Sequence, residues 1–83
     1  MVMIPEGWLV DPRKKWLLCF RKDPMCLQRL PKIFMDKWDS TPLGTPSVFR
    51  NTRKVGLEPA LETWNELIES GWRQVQFQHD RVA

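Results

Sequence analysis

Acidic side chains at regular intervals are the first candidates for chemistry; they are Glu58, Glu62, Glu66 and Glu69. A carboxylic acid that donates protons in catalysis needs a pKa raised by burial or by a nearby negative charge. Their spacing of three and four residues instead places these carboxylates on one solvated side of a helix. No nucleophile and base are arranged in a recognisable motif either, so we expect the protein not to be an enzyme.

Cysteine and histidine are too few for the usual zinc site. The chain has only Cys19, Cys26 and His79, whereas a structural zinc ion takes four ligands. Cys19 lies in an apolar run and is predicted to be a buried, reduced thiol, and a bridge to Cys26 is the less favoured alternative. The four glycines are scattered, so no phosphate-binding loop is evident. We expect no metal, no cofactor and no small-molecule substrate.

Basic residues interleaved with tryptophan favour a different chemistry, the binding of a nucleic acid. Up to residue 54 the chain has eleven basic and five acidic residues, a net charge of +6, and the remainder carries −3. Such a surface neutralises phosphates and stacks bases on aromatic rings. The candidate contacts are Arg13, Lys14, Lys15, Arg50, Arg53 and Lys54. The alternative is that these charges keep the protein soluble and protect a sheet edge from pairing.

One amphipathic helix must position part of any site. Its predicted range is Leu57–Ser70, with Gly56 as N-cap, Pro59 tolerated in the first turn and Gly71 at the left-handed position that ends many helices. The apolar residues recur at three- and four-residue spacing and form one stripe. These residues are Leu57, Ala60, Leu61, Trp64, Leu67 and Ile68.

The remaining segments alternate in polarity as strands do. The predicted strands are Trp8–Val10, Lys15–Arg21, Lys32–Trp38, Val48–Val55 and Trp72–Gln78. Asp11 and Pro12 suit a type I turn between the first two. The fourth strand is predicted to be exposed or at an edge, with Phe49 and Val55 on the same side. Residues 39–47 have the composition of a flexible loop.

These elements predict an α+β fold in the order ββββαβ, in which a small antiparallel sheet of about four to five strands packs one face against the helix. A chain of 83 residues is expected to form a single domain, residues 1–83. The longest apolar run is too short to span a bilayer, and the N-terminus lacks the features of a signal peptide. We therefore expect a soluble cytoplasmic protein that does not bind membranes.

Two of the predicted strands are apolar on both faces, whereas one helix covers only one face of the sheet. The predicted interaction face consists of Leu17, Cys19, Ile33 and Met35. A homodimer, a protein partner or the Pro-rich loop folding back would each cover it. The leading hypothesis is a small non-enzymatic module that binds a protein or regulates one, including self-association through this face. Nucleic-acid binding through the basic hairpin and edge strand is the alternative.

Both ends of the chain resemble a known family. Residues 57–72 end in the pattern A-L-x-x-W-x-x-L-x-x-x-G-W, and Gly7-Trp8-Leu9 followed by Trp16 and Phe20 is similar to the start of the same family. The pattern resembles an uncharacterised family of short, Trp-rich proteins of marine picocyanobacteria, and it leaves roughly residues 24–47 uncovered. The resemblance implies an unknown function and assigns no catalytic residue.

Overall fold

The computed structural model of the protein describes residues 5–25 and 31–77, which contain five strands and one helix. Their bounds are β1 Gly7–Val10, β2 Trp16–Lys22, β3 Lys32–Ser40, β4 Pro46–Gly56, α1 Leu57–Glu69 and β5 Arg73–Val75. The strands form one antiparallel sheet in the spatial order β4-β3-β2-β1-β5. The predicted α+β fold and element order are confirmed, and β4 is an edge strand as expected. Cys26 and His79 lie outside the described residues.

A tight turn joins β1 to β2 as predicted. The N–H of Lys14 donates to the carbonyl of Asp11 at 2.8 Å, and the Asp11 carboxylate accepts the N–H of Arg13 at 3.3 Å. Lys14 itself takes a left-handed conformation with φ of 58°. The turn therefore presents three consecutive basic side chains, all exposed, at one end of the sheet.

The connection between β3 and β4 is shorter than the predicted loop of residues 39–47. Both strands extend into that range, and only residues 41–45 turn the chain. The N–H of Thr41 donates to the carbonyl of Thr45 at 2.8 Å, and the two threonine hydroxyls lie 2.7 Å apart. Thr41 also accepts the N–H of Gly44 at 2.9 Å through its carbonyl. These bonds satisfy the turn internally, so strand pairing continues almost to its tip.

A Schellman motif ends α1. The N–H of Trp72 donates to the carbonyl of Leu67 at 2.9 Å, and the N–H of Gly71 donates to that of Ile68 at 3.1 Å. Gly71 has φ of 101°, which confirms the prediction that it stops the helix. Ser70, which was predicted to be helical, is the C-cap.

Four of the six residues of the predicted apolar stripe of α1 lie in the core or pack against it, and Leu61 is half-buried. Ala60 and Trp64 are buried, and Leu57 and Leu67 pack against the core. Ile68 is 42% exposed, because it lies at the margin of the stripe in the last turn. The four glutamates of the opposite side are all exposed, as expected.

An aromatic pair joins the helix to the sheet. Phe20 and Trp64 meet edge to face with ring centroids 5.0 Å apart, in the geometry that aromatic quadrupoles favour. Gly7 lies opposite Phe20 in register and beside the Trp64 indole, with φ of 123°. Only glycine adopts that backbone conformation readily. The buried cluster consists of Leu9, Phe20, Ile33, Met35, Ala60 and Trp64.

The register of β3 corrects the predicted interaction face. Cys19 of β2 lies opposite Asp36 of β3. Because side chains alternate along a strand, Ile33 and Met35 then point to the helix side, where they are buried in the core. The prediction that these two residues share an uncovered face with Leu17 and Cys19 is therefore wrong. A difference of one residue in register exchanges the two faces of a strand.

Strand β4 changes face at an irregular pairing with β3. Trp38 lies opposite Phe49, whereas Lys37, one residue earlier, lies opposite Asn51. The extra residue on β4 forms a β-bulge. Phe49 consequently lies beside Trp38 on the face away from the helix, while Val55 packs against the core. The prediction that Phe49 and Val55 share one side is wrong for this reason.

Truncation of the central aromatic residue tests this core. Phe20 is 1% exposed, so Phe20→Ala should lower the free energy of unfolding by roughly 3–5 kcal/mol, a large part of the stability of so small a domain. Phe49→Ala is the matched control, because Phe49 is 49% exposed and should lose well under half as much. Urea unfolding followed by tryptophan fluorescence measures both. Equal losses in the two variants would contradict the assignment of faces.

Candidate interaction surfaces

Four aromatic rings form a row on the sheet face away from the helix. Phe49 contacts Trp38 with ring centroids 5.4 Å apart, Trp38 contacts Trp8 at 6.0 Å, and Trp8 contacts Phe77 at 5.2 Å. We call these four residues the aromatic row. It crosses the sheet from β4 past β1 to the chain beyond β5, and its rings are half-buried or, at Phe49, exposed. Among residues 5–25 and 31–77 no helix covers this face.

One end of this face is covered by the turn between β3 and β4. A Cβ built on Gly44 would lie 3.8 Å from Cγ2 of Val10, so the backbone of the turn lies against β1. Val10 is opposite Leu17 in register, and Leu17 is fully buried. The Pro-rich segment thus shields part of the predicted interaction face, which is one of the three covers that the sequence left open. The aromatic row itself stays accessible.

The charged residues at the other end of the face are paired. Arg21 donates two hydrogen bonds to Asp36, at 2.6 and 3.3 Å, and Asp36 also accepts the hydroxyl of Thr52. These contacts raise the pKa of the Arg21 guanidinium, chiefly through the hydrogen bond to Asp36. The guanidinium carbon lies 4.5 Å from the centroid of the Phe34 ring, a cation–π distance. Charge on this part of the face is therefore neutralised within the sheet.

A second ion pair repeats this arrangement beside the first. The Lys54 ammonium lies 2.9 Å from the carboxylate of Asp23 and 5.4 Å from the Phe34 centroid. The Asp23 carboxylate also accepts the N–H of Met25 at 2.9 Å. The hydrogen bond from Lys54, and secondarily that from Met25, lowers the pKa of Asp23. This end of the face thus holds two bases and two acids in matched pairs.

Cys19 lies on the same face and is half-buried. Burial, together with the negative charge of Asp36 beside it, raises the pKa of its thiol to about 11. The group is consequently a neutral thiol at physiological pH, and it behaves as a small apolar side chain.

A second surface lies on the helix side, on the part of the sheet that α1 leaves open. It is a groove of about 260 Å³ lined by Trp16, Leu18, Met35, Lys37, Asn51, Arg53 and Trp72. We call it the Trp groove. The Lys37 ammonium lies 4.1 Å from the centroid of the Trp16 ring, a close cation–π contact. Neither Asp nor Glu lines the groove, so its charge is purely positive.

The six predicted nucleic-acid contacts do not form one patch. Arg50 makes a bidentate pair with Asp39 at 2.8 and 2.9 Å, which raises the pKa of Arg50 and lowers that of Asp39. Lys54 lies on the opposite face, bound to Asp23. Arg53 is the member of this set that enters the Trp groove.

The three basic residues of the turn between β1 and β2 lie at the end of the sheet next to the Trp groove. Arg13, Lys14 and Lys15 line a broad depression together with Trp16, which is also part of the Trp groove. Within the described ranges none of these three forms an ion pair. The turn and the Trp groove are thus continuous through Trp16.

Sequence reasoning missed the residues that give both surfaces their character. The number of tryptophans was an available signal, since five Trp occur in 83 residues. Which of them meet depends on strand register, which local patterns do not encode. The position of Trp72 beside the end of α1 could have been predicted, because this residue follows Gly71, which ends the helix.

The described residues offer neither a candidate metal site nor a candidate membrane-spanning helix. In the part of the chain that the structure describes, no three His, Cys, Asp or Glu side chains lie close enough together to hold a metal ion. No helix in the same ranges has the length and apolar character needed to cross a membrane.

Comparison with known proteins places most of the chain in one family. A family model described as a protein of unknown function, DUF1651, matches residues 6–79. No curated protein and no solved structure matches the chain significantly. The match confirms the resemblance to an uncharacterised family, whereas the marine picocyanobacterial source stays a prediction.

The Lys54–Asp23 pair gives a testable dependence on pH. Because the pKa of Asp23 is held below its ordinary value of 3.8, the pair stabilises the fold above about pH 4, and this contribution is lost as the pH falls through the lowered pKa. Lys54→Met should raise the pKa of Asp23 and reduce stability at pH 6 more than at pH 2. Carboxyl NMR titration and urea unfolding measure the two effects.

Lys15→Met is the control for this experiment, because Lys15 is an exposed lysine with no ion pair among residues 5–25 and 31–77. It should leave the titration of Asp23 unchanged. An unaltered Asp23 pKa in Lys54→Met would contradict the pairing.

Proposed function

The chain belongs to the DUF1651 family of proteins of unknown function, and we propose that it is a non-enzymatic binding module that associates with a second copy of itself through the aromatic row. The observation that carries the proposal is the row of Phe49, Trp38, Trp8 and Phe77 on the face opposite α1.

An uncovered aromatic row has a free-energy cost in water. Phe49 is 49% exposed, and Trp8, Trp38 and Phe77 are half-buried rather than enclosed. Aromatic rings supply the largest apolar area per side chain, and contiguous apolar patches on soluble proteins mark contact surfaces. Pairing two rows would remove these rings from water without rearranging the sheet.

The charges of this face favour a second copy as the occupant. In a two-fold symmetric dimer the same patch meets itself, so any net charge on it repels its own image. Arg21 is neutralised by Asp36, and Lys54 is neutralised by Asp23. Arg73, at the β5 edge of this face beside Val10, has no ion pair in the described ranges and lies at the margin of the aromatic row. The helix side instead carries Lys37 and Arg53 without ion pairs in the described ranges, and self-association there would be opposed.

The interface would have an aromatic centre and a polar rim. Stable protein interfaces bury roughly 800 Å² on each partner, with aromatic residues enriched at the centre. The aromatic row supplies the centre, and the two ion pairs beside Phe34 supply part of the rim. Cys19 lies opposite Trp8 in register, beside the aromatic row. Because its thiol is neutral, it adds no charge to the contact.

Light scattering after size exclusion tests this proposal. The monomer mass is 9.9 kDa, and we expect twice that mass at micromolar to millimolar concentration, with a return to monomer on dilution. Phe49→Lys should shift the midpoint of dissociation to at least ten-fold higher concentration, because it replaces the exposed ring at the β4 end of the row with a charge on each partner.

Ile68→Lys is the matched control, since Ile68 is a large apolar residue of similar exposure, 42%, on the helix. It should dissociate at the concentration found for the unmodified protein. A mass of 9.9 kDa at all concentrations, or equal effects of the two substitutions, would exclude self-association through the aromatic row.

A further inference from the structure

We infer that the Trp groove is a binding site for single-stranded nucleic acid, separate from the aromatic row and independent of it. The groove joins two indoles, a lysine and an arginine on the open part of the helix side, and no function given above uses it.

The groove combines the two interactions by which proteins bind single strands, the stacking of bases on aromatic rings and the attraction of phosphates to basic side chains. Trp16 and Trp72 line the groove with indole rings, on which any base can stack. Lys37 covers one face of Trp16, so a base stacks on that face by displacing the ammonium towards the adjoining phosphate. Lys37, 4.1 Å from the Trp16 ring centroid, and Arg53 place positive charge where the phosphates adjoining a stacked base would lie. Asn51 adds an amide that can donate to a base edge or accept from it.

Positive charge continues from the groove to the end of the sheet. Trp16 is shared between the groove and the depression lined by Arg13, Lys14 and Lys15. Asp39 also lines this depression, but its carboxylate is paired with Arg50. Those three residues, like Lys37 and Arg53, form no ion pair within the described parts of the chain. The result is a basic track with an aromatic residue in its middle, which matches the backbone of an extended strand more closely than a compact ligand.

Size and chemistry favour a single strand over the alternatives. At about 260 Å³ the groove is smaller than the roughly 300–1,000 Å³ of pockets that enclose a whole small ligand, and it suits one or two bases of a longer chain. A duplex keeps its bases stacked internally and would leave the two indoles unused. An acidic peptide would satisfy the charges but not the aromatic faces.

Fluorescence anisotropy with labelled 12-nucleotide strands tests the inference. Oligo-dT and oligo-U serve as the two probes, with a 12-base-pair duplex and poly-glutamate as competitors. We expect both strands to bind more tightly than the duplex, and affinity to fall steeply as salt rises. A duplex that binds equally well, or poly-glutamate that displaces the strand at equal charge, would overturn the inference.

Arg53→Gln and Arg73→Gln form a matched pair of variants. Both arginines are exposed and lie on edge strands, but Arg73 pairs with Val10 and so lies on the other face. Arg53→Gln should weaken binding several-fold and reduce the slope of log K against log salt by roughly 0.7. Arg73→Gln should leave both unchanged, and equal effects of the two variants would overturn the site.

Trp16→Leu separates stacking from charge. It should weaken binding by roughly 5- to 100-fold with little change in the salt slope, because it removes a π face and no charge. Circular dichroism verifies that the variant is folded. Phe49→Lys, which tests the dimer, should leave the affinity of each groove unchanged, so the failure of one proposal is distinguishable from the failure of the other. If folded Trp16→Leu bound the strands as tightly as the unmodified protein, the Trp groove would not be the binding site.

Discussion

In the part of the chain that the structure describes, one helix of 13 residues has to cover a sheet of five strands, and the character of both surfaces follows from that mismatch. Such a helix is about 20 Å long and about 10 Å wide with its side chains. Five strands spaced by about 4.8 Å extend over roughly 20 Å across the sheet, and the 11 residues of β4 extend over about 37 Å along it. α1 therefore covers the middle of one face, where Trp64 meets Phe20. One part of that face and most of the other remain open, and aromatic residues occupy both.

Charge is distributed over these two surfaces in opposite ways. On the face of the aromatic row, Arg21 and Lys54 are bound to carboxylates whose side chains are only 9% and 6% exposed. Near the Trp groove, Arg53 and Lys37 have no such partners among residues 5–25 and 31–77. Net charge alone hides this difference, because a paired base attracts a phosphate far less than an unpaired one. On the two proposals above, the surface with paired charges meets a second copy and the surface with unpaired bases meets a nucleic acid.

Local signals in the sequence were sufficient for the helix and the order of elements. Periodicity, Pro59 in the first turn and Gly71 at the end act within a few residues of one another, so the helix could be predicted closely. The four strands before the helix also follow from alternation and turn residues. Strand β4 was predicted about two residues too short at its start, because its bulges allow pairing to extend into a segment rich in proline.

Strand register and β-bulges could not be predicted from such local signals, and they determine which residues form each surface. Ile33 and Met35 are as apolar as Leu17, and nothing within β3 states which side meets the helix. That choice is made by the pairing of Cys19 with Asp36, across sixteen intervening residues. The bulge that separates Phe49 from Val55 likewise depends on how β4 pairs with β3. Sequence therefore predicted that an apolar face would remain uncovered, but not which residues form it.

Strand β2 connects the two surfaces without mixing them. Trp16 and Leu18 line the Trp groove, while Leu17 lies beneath the opposite face between its pairing partners Val10 and Trp38. Because consecutive side chains of a strand point in opposite directions, a partner on one face cannot contact a ligand on the other. A dimer formed through the aromatic row would leave both of its grooves facing outward. Two grooves on one particle would then bind a single long strand more tightly than one groove does, because the second contact is intramolecular.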